Sequence, residues 1–139
     1  MRKRRKSREF ALQVLFQLDI TKHDPIKAFA QSKEHFLKKG EDDQFAEQIV
    51  LGVQEHSQEI DRLIEKYSEN WRLDRISLID RNILRMAIFE FLYCEEIPPK
   101  VTLNEAIDLG KRFGTDDSGS FINGILDRIQ NKFIQKPIA

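Results

Sequence analysis

Six of the first eight residues are basic, namely Arg2, Lys3, Arg4, Arg5, Lys6 and Arg8, and none of the eight is acidic. Such a run can neutralise phosphates and lay guanidinium planes against bases, which is how arginine-rich segments hold RNA. If the run opens a helix, Arg4 and Arg8 share a face at i, i+4, with Arg5 beside them. Its other reading is a solvated tail that aids solubility. Removing these six from the 23 basic residues leaves 17 against 23 acidic ones. The rest of the chain is therefore net acidic although the whole is neutral. Positive charge concentrated in one arm points to a polyanionic partner.

Two further groups could carry chemistry. From Phe113 to Asn123 two aromatics, Phe113 and Phe121, flank a loop of Asp, Ser and Gly that leads into a helix. Exposed rings stack on unpaired bases, and a helix N-terminus offers free backbone donors to phosphate. At helical spacing the same two rings also read as core. The other group is Asp80, Arg81, Arg85 and Glu90 on one helical stretch. There Asp80 suits the positive end of a helix dipole and Arg81 and Arg85 stand at i, i+4. This group reads either as a solvated face or as a contact for a protein partner.

Catalysis finds no support in the residues. His23, His35 and His56 stand far apart, no Cys/His pair has metal-ligand spacing, and neither GxxxxGK[ST] nor GxGxxG occurs. The carboxylates are scattered over polar helix faces, and no cofactor site is expected. Cys94 is the single cysteine, which excludes an intrachain disulfide, and it reads as a packed thiol.

The elements that must position these groups follow from the hydrophobic pattern. The chain has 139 residues, 40% hydrophobic and 33% charged, a composition for one globular domain. No apolar run approaches the roughly 20 residues that span a bilayer, and the basic start lacks the apolar stretch of a signal peptide. A cytoplasmic protein without membrane contact is expected.

Apolar residues recur at spacings of three and four, and strict alternation is missing, so the fold is expected to be all-α. A first helix runs from the basic arm through Ala11, Leu12, Leu15 and Leu18. Asp24-Pro25 resembles an N-cap followed by proline at the first helical position. The second helix then buries Ile26, Phe29, Ala30 and Phe36 and ends near Gly40. A third carries Phe45, Ile49 and Val53. From Ser57 a continuation or a new helix carries Ile60, Leu63, Ile64 and Tyr67, and the pattern breaks around Trp71.

Ser77 and Asp80 have capping-box spacing and open the most apolar helix, with Ile79, Ile83, Met86, Ala87 and Ile88, expected at the centre. Pro98-Pro99 interrupts it. Thr102 and Glu105 again have capping-box spacing for a helix through Ala106 and Leu109 that Gly114 stops. A last helix carries Phe121, Ile122, Ile125, Leu126 and Ile129, with fraying expected after about Lys132. The organisation is a basic arm, residues 1–8, continuing into the first helix of one helical body, residues 9–139.

Four stretches together are more specific than composition. The runs Asp80–Glu90 (DRNILRMAIFE), Ile97–Gly114 (IPPKVTLNEAIDLGKRFG) and Phe121–Asp127 (FINGILD) closely resemble the signature of the NusB family. Arg4–Phe16 (RRKSREFALQVLF) resembles that family's N-terminal arginine-rich motif. The resemblance covers essentially the whole chain in the family's order. It implies about seven helices in one compact domain, as two three-helix bundles around a central helix.

The resemblance also implies binding of single-stranded boxA RNA together with a small-subunit ribosomal protein acting as NusE. That pair supports antitermination by RNA polymerase on ribosomal RNA operons. Carried over by position, Arg4, Arg5, Arg8 and Phe16 form the arginine-rich motif. Asp117, Ser118 and Phe121 fall on the RNA side, and Asp80 with its neighbours Arg81 and Arg85 on the ribosomal-protein side. A homodimer that hides the arginine motif is a further state that the resemblance leaves open.

Three positions depart from the pattern: Lys6 loses bidentate geometry, Phe16 stands where tyrosine is frequent, and Gly110 stands where alanine is usual. The competing reading is a protein-interaction scaffold without specific RNA readout. NusB-like domains also occur fused to RNA methyltransferases, but nothing in this chain could bind a methyl donor.

Overall fold

The structure, a computed structural model, describes residues 3–38, 43–69 and 72–134. Arg2, Gly40 and Trp71, each singled out in the sequence, lie outside the described residues. Among the described residues seven α-helices follow one another: α1 (Arg4–Thr21), α2 (Pro25–Phe36), α3 (Gln44–Glu55), α4 (Ser57–Tyr67), α5 (Leu78–Tyr93), α6 (Pro99–Phe113) and α7 (Ser118–Ile129). A 3-10 turn (Leu73–Arg75) precedes α5, a π-helical turn (Gln130–Ile134) ends the described chain, and no strand occurs among the described residues. The most apolar helix, α5, is central. It packs against α1 and α3 on one side and α4, α6 and α7 on the other, while α2 closes the first group against α1 and α3.

Local chemistry sets most boundaries. The Ser77 Oγ accepts from the Asp80 N–H at 3.2 Å and caps α5 as its spacing predicts. Asp24 stands at the N-cap of α2, before Pro25, but its side chain makes no capping bond. His56 alone separates α3 from α4: its N–H donates to the Gly52 carbonyl at 3.0 Å while its own carbonyl accepts from the Ile60 N–H at 3.0 Å. The last two helices meet tightly at Gly114, where a Cβ would collide with the Ser118 side chain.

Two sequence expectations are corrected. Thr102 and Glu105 do not cap α6, which begins at Pro99, because a proline at the first position already has helical φ and lacks only an N–H that would be orphaned anyway. Both side chains are thereby freed to meet other elements. In α2 the buried side is Ala28, Phe29 and Ser32, whereas Ile26 is 64% and Phe36 54% exposed, and Ala30 is exposed too. The helix ends at Phe36 because the chain becomes extended at Leu37, which turns back into the core at 8% exposure.

Gly52 lets α3 approach α5. A Cβ there would fall within the Phe89 ring, which is only 4% exposed and has little room to withdraw. Gly52→Ala is therefore expected to destabilise the fold by about 1–3 kcal/mol, the usual cost of overpacking, despite alanine's better helix propensity. Urea unfolding monitored by circular dichroism checks this, and a stabilised variant would contradict it.

Candidate nucleic-acid interface

The basic arm is the first turns of α1, with Lys3 at the N-cap making no side-chain capping bond. Cations at a helix N-terminus oppose the helix dipole, so this start needs compensation from elsewhere. Carboxylates from two distant helices supply it. Arg8 donates from Nε and NH2 to the two oxygens of Glu90, 82 residues away, at 2.8 Å each. The Thr102 hydroxyl donates to the same Glu90 carboxylate at 2.8 Å. Arg5 donates to both oxygens of Glu105 at 3.2 and 2.8 Å, and Arg8 NH1 lies 3.6 Å from that carboxylate. The Phe45 ring of α3 lies beneath the guanidinium groups of Arg4 and Arg8, at 4.8 and 5.4 Å.

This docking divides the arm. The Arg8 side chain is 5% exposed and its charge faces inward, whereas the Arg5 side chain is 60% exposed and Lys3, Arg4 and Lys6 are exposed. The hydrogen bond from Arg5, aided by the charges of Arg5, Arg8 and Arg112, holds the Glu105 carboxyl below the usual carboxylate range. Its contribution to docking is fully present above the ordinary carboxylate pKa and is lost only as pH falls through that lowered value. Glu90, Thr102 and Glu105 as holders of the arm were not found in the sequence, because nothing in their local spacing marks partners so far along the chain.

The charged stretch of α5 is an internal seam and not a solvated face. Arg85 donates to Asp61 of α4 at 2.8 and 3.1 Å and to Asp19 of α1 at 3.2 and 3.0 Å, and its side chain is 11% exposed. Asn82 donates to Asp19 as well, at 2.8 Å. Glu90 is 2% and Asp80 9% exposed. Arg81 NH2 donates to the Ile76 carbonyl at 2.9 Å, while Arg81 Nε and Asp80 Oδ1 are buried with no hydrogen-bond partner.

Asp80 lines a pocket of about 240 Å³ together with Arg75, Thr115, Asp117, Ser118 and Phe121. The structure thus brings together residues that the sequence placed on separate RNA and protein sides. Phe121 is half-buried against the core, and Ser118 is 1% exposed with its Oγ accepting from the Thr115 N–H at 2.9 Å. Phe16 lies in a neighbouring groove of about 470 Å³ with Lys6, Gln13, Phe36, Ile79 and Phe113. Phe113, core-like by spacing, is 44% exposed beneath the Arg112 guanidinium at 5.1 Å.

Among the described residues no group of His, Cys, Asp and Glu could hold a metal ion, and no helix is long and apolar enough to cross a membrane. Cys94 is 1% exposed, and burial pushes its thiol up to about 11.

Fold and surface together define an all-helical protein with a cationic helix start that leads onto aromatic-lined hollows, an arrangement suited to nucleic acid. The family profile described as the NusB family matches residues 5–131. A transcription antitermination protein NusB from Desulfatibacillum aliphaticivorans is 50% identical over 129 residues, spanning 93% of this chain and 90% of its own length. The solved structure of T. maritima NusB matches with a TM-score of 0.85 at 38% identity, over 96% of this chain and 94% of that one. A chain in the crystal structure of antitermination factors NusB and NusE in complex with dsRNA matches with a TM-score of 0.84 at 28% identity, over 94% of this chain and 97% of that one. The chain belongs to the NusB family.

Proposed function

We propose that this chain is a transcription antitermination factor that binds boxA-type single-stranded RNA together with a small-subunit ribosomal protein serving as NusE. The pair acts on RNA polymerase at ribosomal RNA operons. The observation that carries this reading is the docked arm. Glu90 and Glu105 dock the helix start through Arg8 and Arg5, which leaves Lys3, Arg4 and Lys6 exposed beside a helix N-terminus for an incoming phosphate. The solved NusB–NusE–dsRNA complex supports it, because a chain of the same fold sits there with both partner types.

In this reading Lys3, Arg4, Arg5 and Lys6, with Arg2 preceding them, meet phosphates, and Arg8 fixes the direction in which they point. Phe16 and Phe121 offer rings to bases, and Asp117 offers an acceptor beside them. Ser118 holds the turn that presents Asp117. Asp80 and Arg81 meet the ribosomal protein at the edge of the same pocket, and Arg85 keeps α5 in register with α1 and α4. Both partners then meet at one pocket, which couples their binding. The protein works by binding in the cytoplasm, where transcription proceeds, and it transforms no substrate.

Fluorescence-anisotropy titration of a boxA-like single strand, a scrambled strand and a duplex tests the RNA part. Tighter binding of the boxA-like strand than of the other two is expected. Equal affinity for all three would leave the scaffold reading, with an incidental basic arm.

A further inference from the structure

Four of the ten phenylalanines, Phe10, Phe16, Phe36 and Phe113, line one open groove, drawn from α1, α2 and α6. Two of them are strongly exposed, Phe36 at 54% and Phe113 at 44%. The pattern of α2 does not account for this, since its core side is Ala28, Phe29 and Ser32. Phe36 meets the body through an edge contact with Phe10, ring centroids 6.4 Å apart. Exposed rings on one concave surface, unlike a lone surface phenylalanine, mark a contact site.

The groove opens beside the basic arm, and its own charged lining is Lys6 and Glu9. Its α1 wall holds Lys6, Gln13 and Phe16, a helical stripe that continues the basic arm for roughly 15 Å at the α-helical rise. The acidic group on this wall, Glu9, is neutralised by Arg112, whose NH1 donates to it at 2.7 Å. Arg112 in turn stacks on Phe113. A volume of about 470 Å³ lies within the range of small-ligand pockets, ~300–1,000 Å³, and admits planar bases. Rings beside cations, with an amide at Gln13 for base edges, are the fittings of a single-strand stacking platform.

We propose that this groove is a base-stacking extension of the nucleic-acid site, in which unpaired RNA bases lie against Phe36 and Phe113 while the arm holds their phosphates. The proposal rests on the RNA-binding reading above and adds α2, through Phe36, to the surface that reads the strand. Ile79 joins the two hollows: it lines this groove while its neighbour Asp80 lines the smaller pocket, so a strand can pass from one to the other over the first turn of α5.

The test uses the full chain, a fluorescein-labelled boxA-like single strand, and the same strand with abasic residues. Phe36→Leu and Phe113→Leu keep apolar bulk but remove the ring, so a packing role would survive them. Each is expected to weaken binding of the intact strand by at least about five-fold, the low end of what stacking on one base contributes. The salt dependence and melting temperature should stay as in the parent chain, and the abasic strand should not distinguish parent from variant. Parent-like affinity in both variants would overturn the proposal. So would a parent dimer, seen by sedimentation, that the leucine variants dissolve with RNA affinity intact, because a second copy would then cover the groove. If the parent chain itself binds no RNA, the functional reading fails, and this proposal with it.

Discussion

Arg8→Ala is expected to lower the unfolding free energy by about 3–5 kcal/mol, because it strips a buried carboxylate of its counter-charge. The Glu90 side chain is 1% exposed, and without Arg8 its described partner is the Thr102 hydroxyl alone. A bare carboxylate so placed must either stay charged in a poor solvent or take up a proton, and both cost stability. Arg8→Lys should recover only part of the loss, since an ammonium cannot span both Glu90 oxygens. The informative control replaces the pair: Arg8→Met with Glu90→Leu should cost much less than either single change. Urea unfolding of the parent and these variants measures each loss. A loss under about 1 kcal/mol for Arg8→Ala would mean that water reaches the pair, which the buried geometry contradicts. The double variant also separates Arg8 from the RNA, because a folded chain with an unaltered salt slope would leave Arg8 no phosphate to hold.

The exposed arm should behave in the opposite way, with little effect on stability and a large effect on binding. Replacing Lys3, Arg4, Arg5 and Lys6 by alanine removes surface charges whose ion pairs contribute little to folding. Each phosphate contact on a single strand adds about −0.7 to the slope of log affinity against log salt, so four contacts give about −2.8. That is a roughly 50-fold loss of affinity between about 50 and 200 mM salt, and the quadruple variant should lose most of this dependence. The Arg5 share should be the smallest, because a phosphate must first displace Glu105 from its paired hydrogen bonds. Affinity titrated over a salt series decides this. An unchanged slope in the quadruple variant would remove the arm from the mechanism.

What could be read from the residues alone was set by periodicity and local chemistry. The 3.6-residue pattern placed Leu15, Ile49, Ile60, Ile83, Ile122 and Leu126 inside, and the structure buries each of them fully. Ser77 capped its helix because a hydroxyl three residues before an N–H needs no tertiary information. Thr102 and Glu105 show the limit of such motifs. Identical spacing occurs inside α6, where the proline start had already supplied the boundary and the two side chains turned to Glu90 and Arg5. The buried charges of α5 were illegible for a related reason. A charged stripe reads as solvated until Asp19, Asp61 and Arg8 arrive from helices far away in sequence.

The basic arm was visible as composition, and its division into an inward Arg8 and outward neighbours required the fold. Phe36 misled because its spacing fits a core stripe while it stands on the last turn of a helix whose successor, Leu37, takes the inward position.

If RNA and the ribosomal protein bind at adjoining parts of one surface, each should strengthen the binding of the other. Anisotropy titration of a boxA-like strand with the chain alone, and then with the ribosomal protein held in excess, measures that coupling directly. Tighter binding in the presence of the partner, by about 5–150-fold as for couplings of 1–3 kcal/mol, is the predicted result. Identical affinity with and without the partner would contradict it.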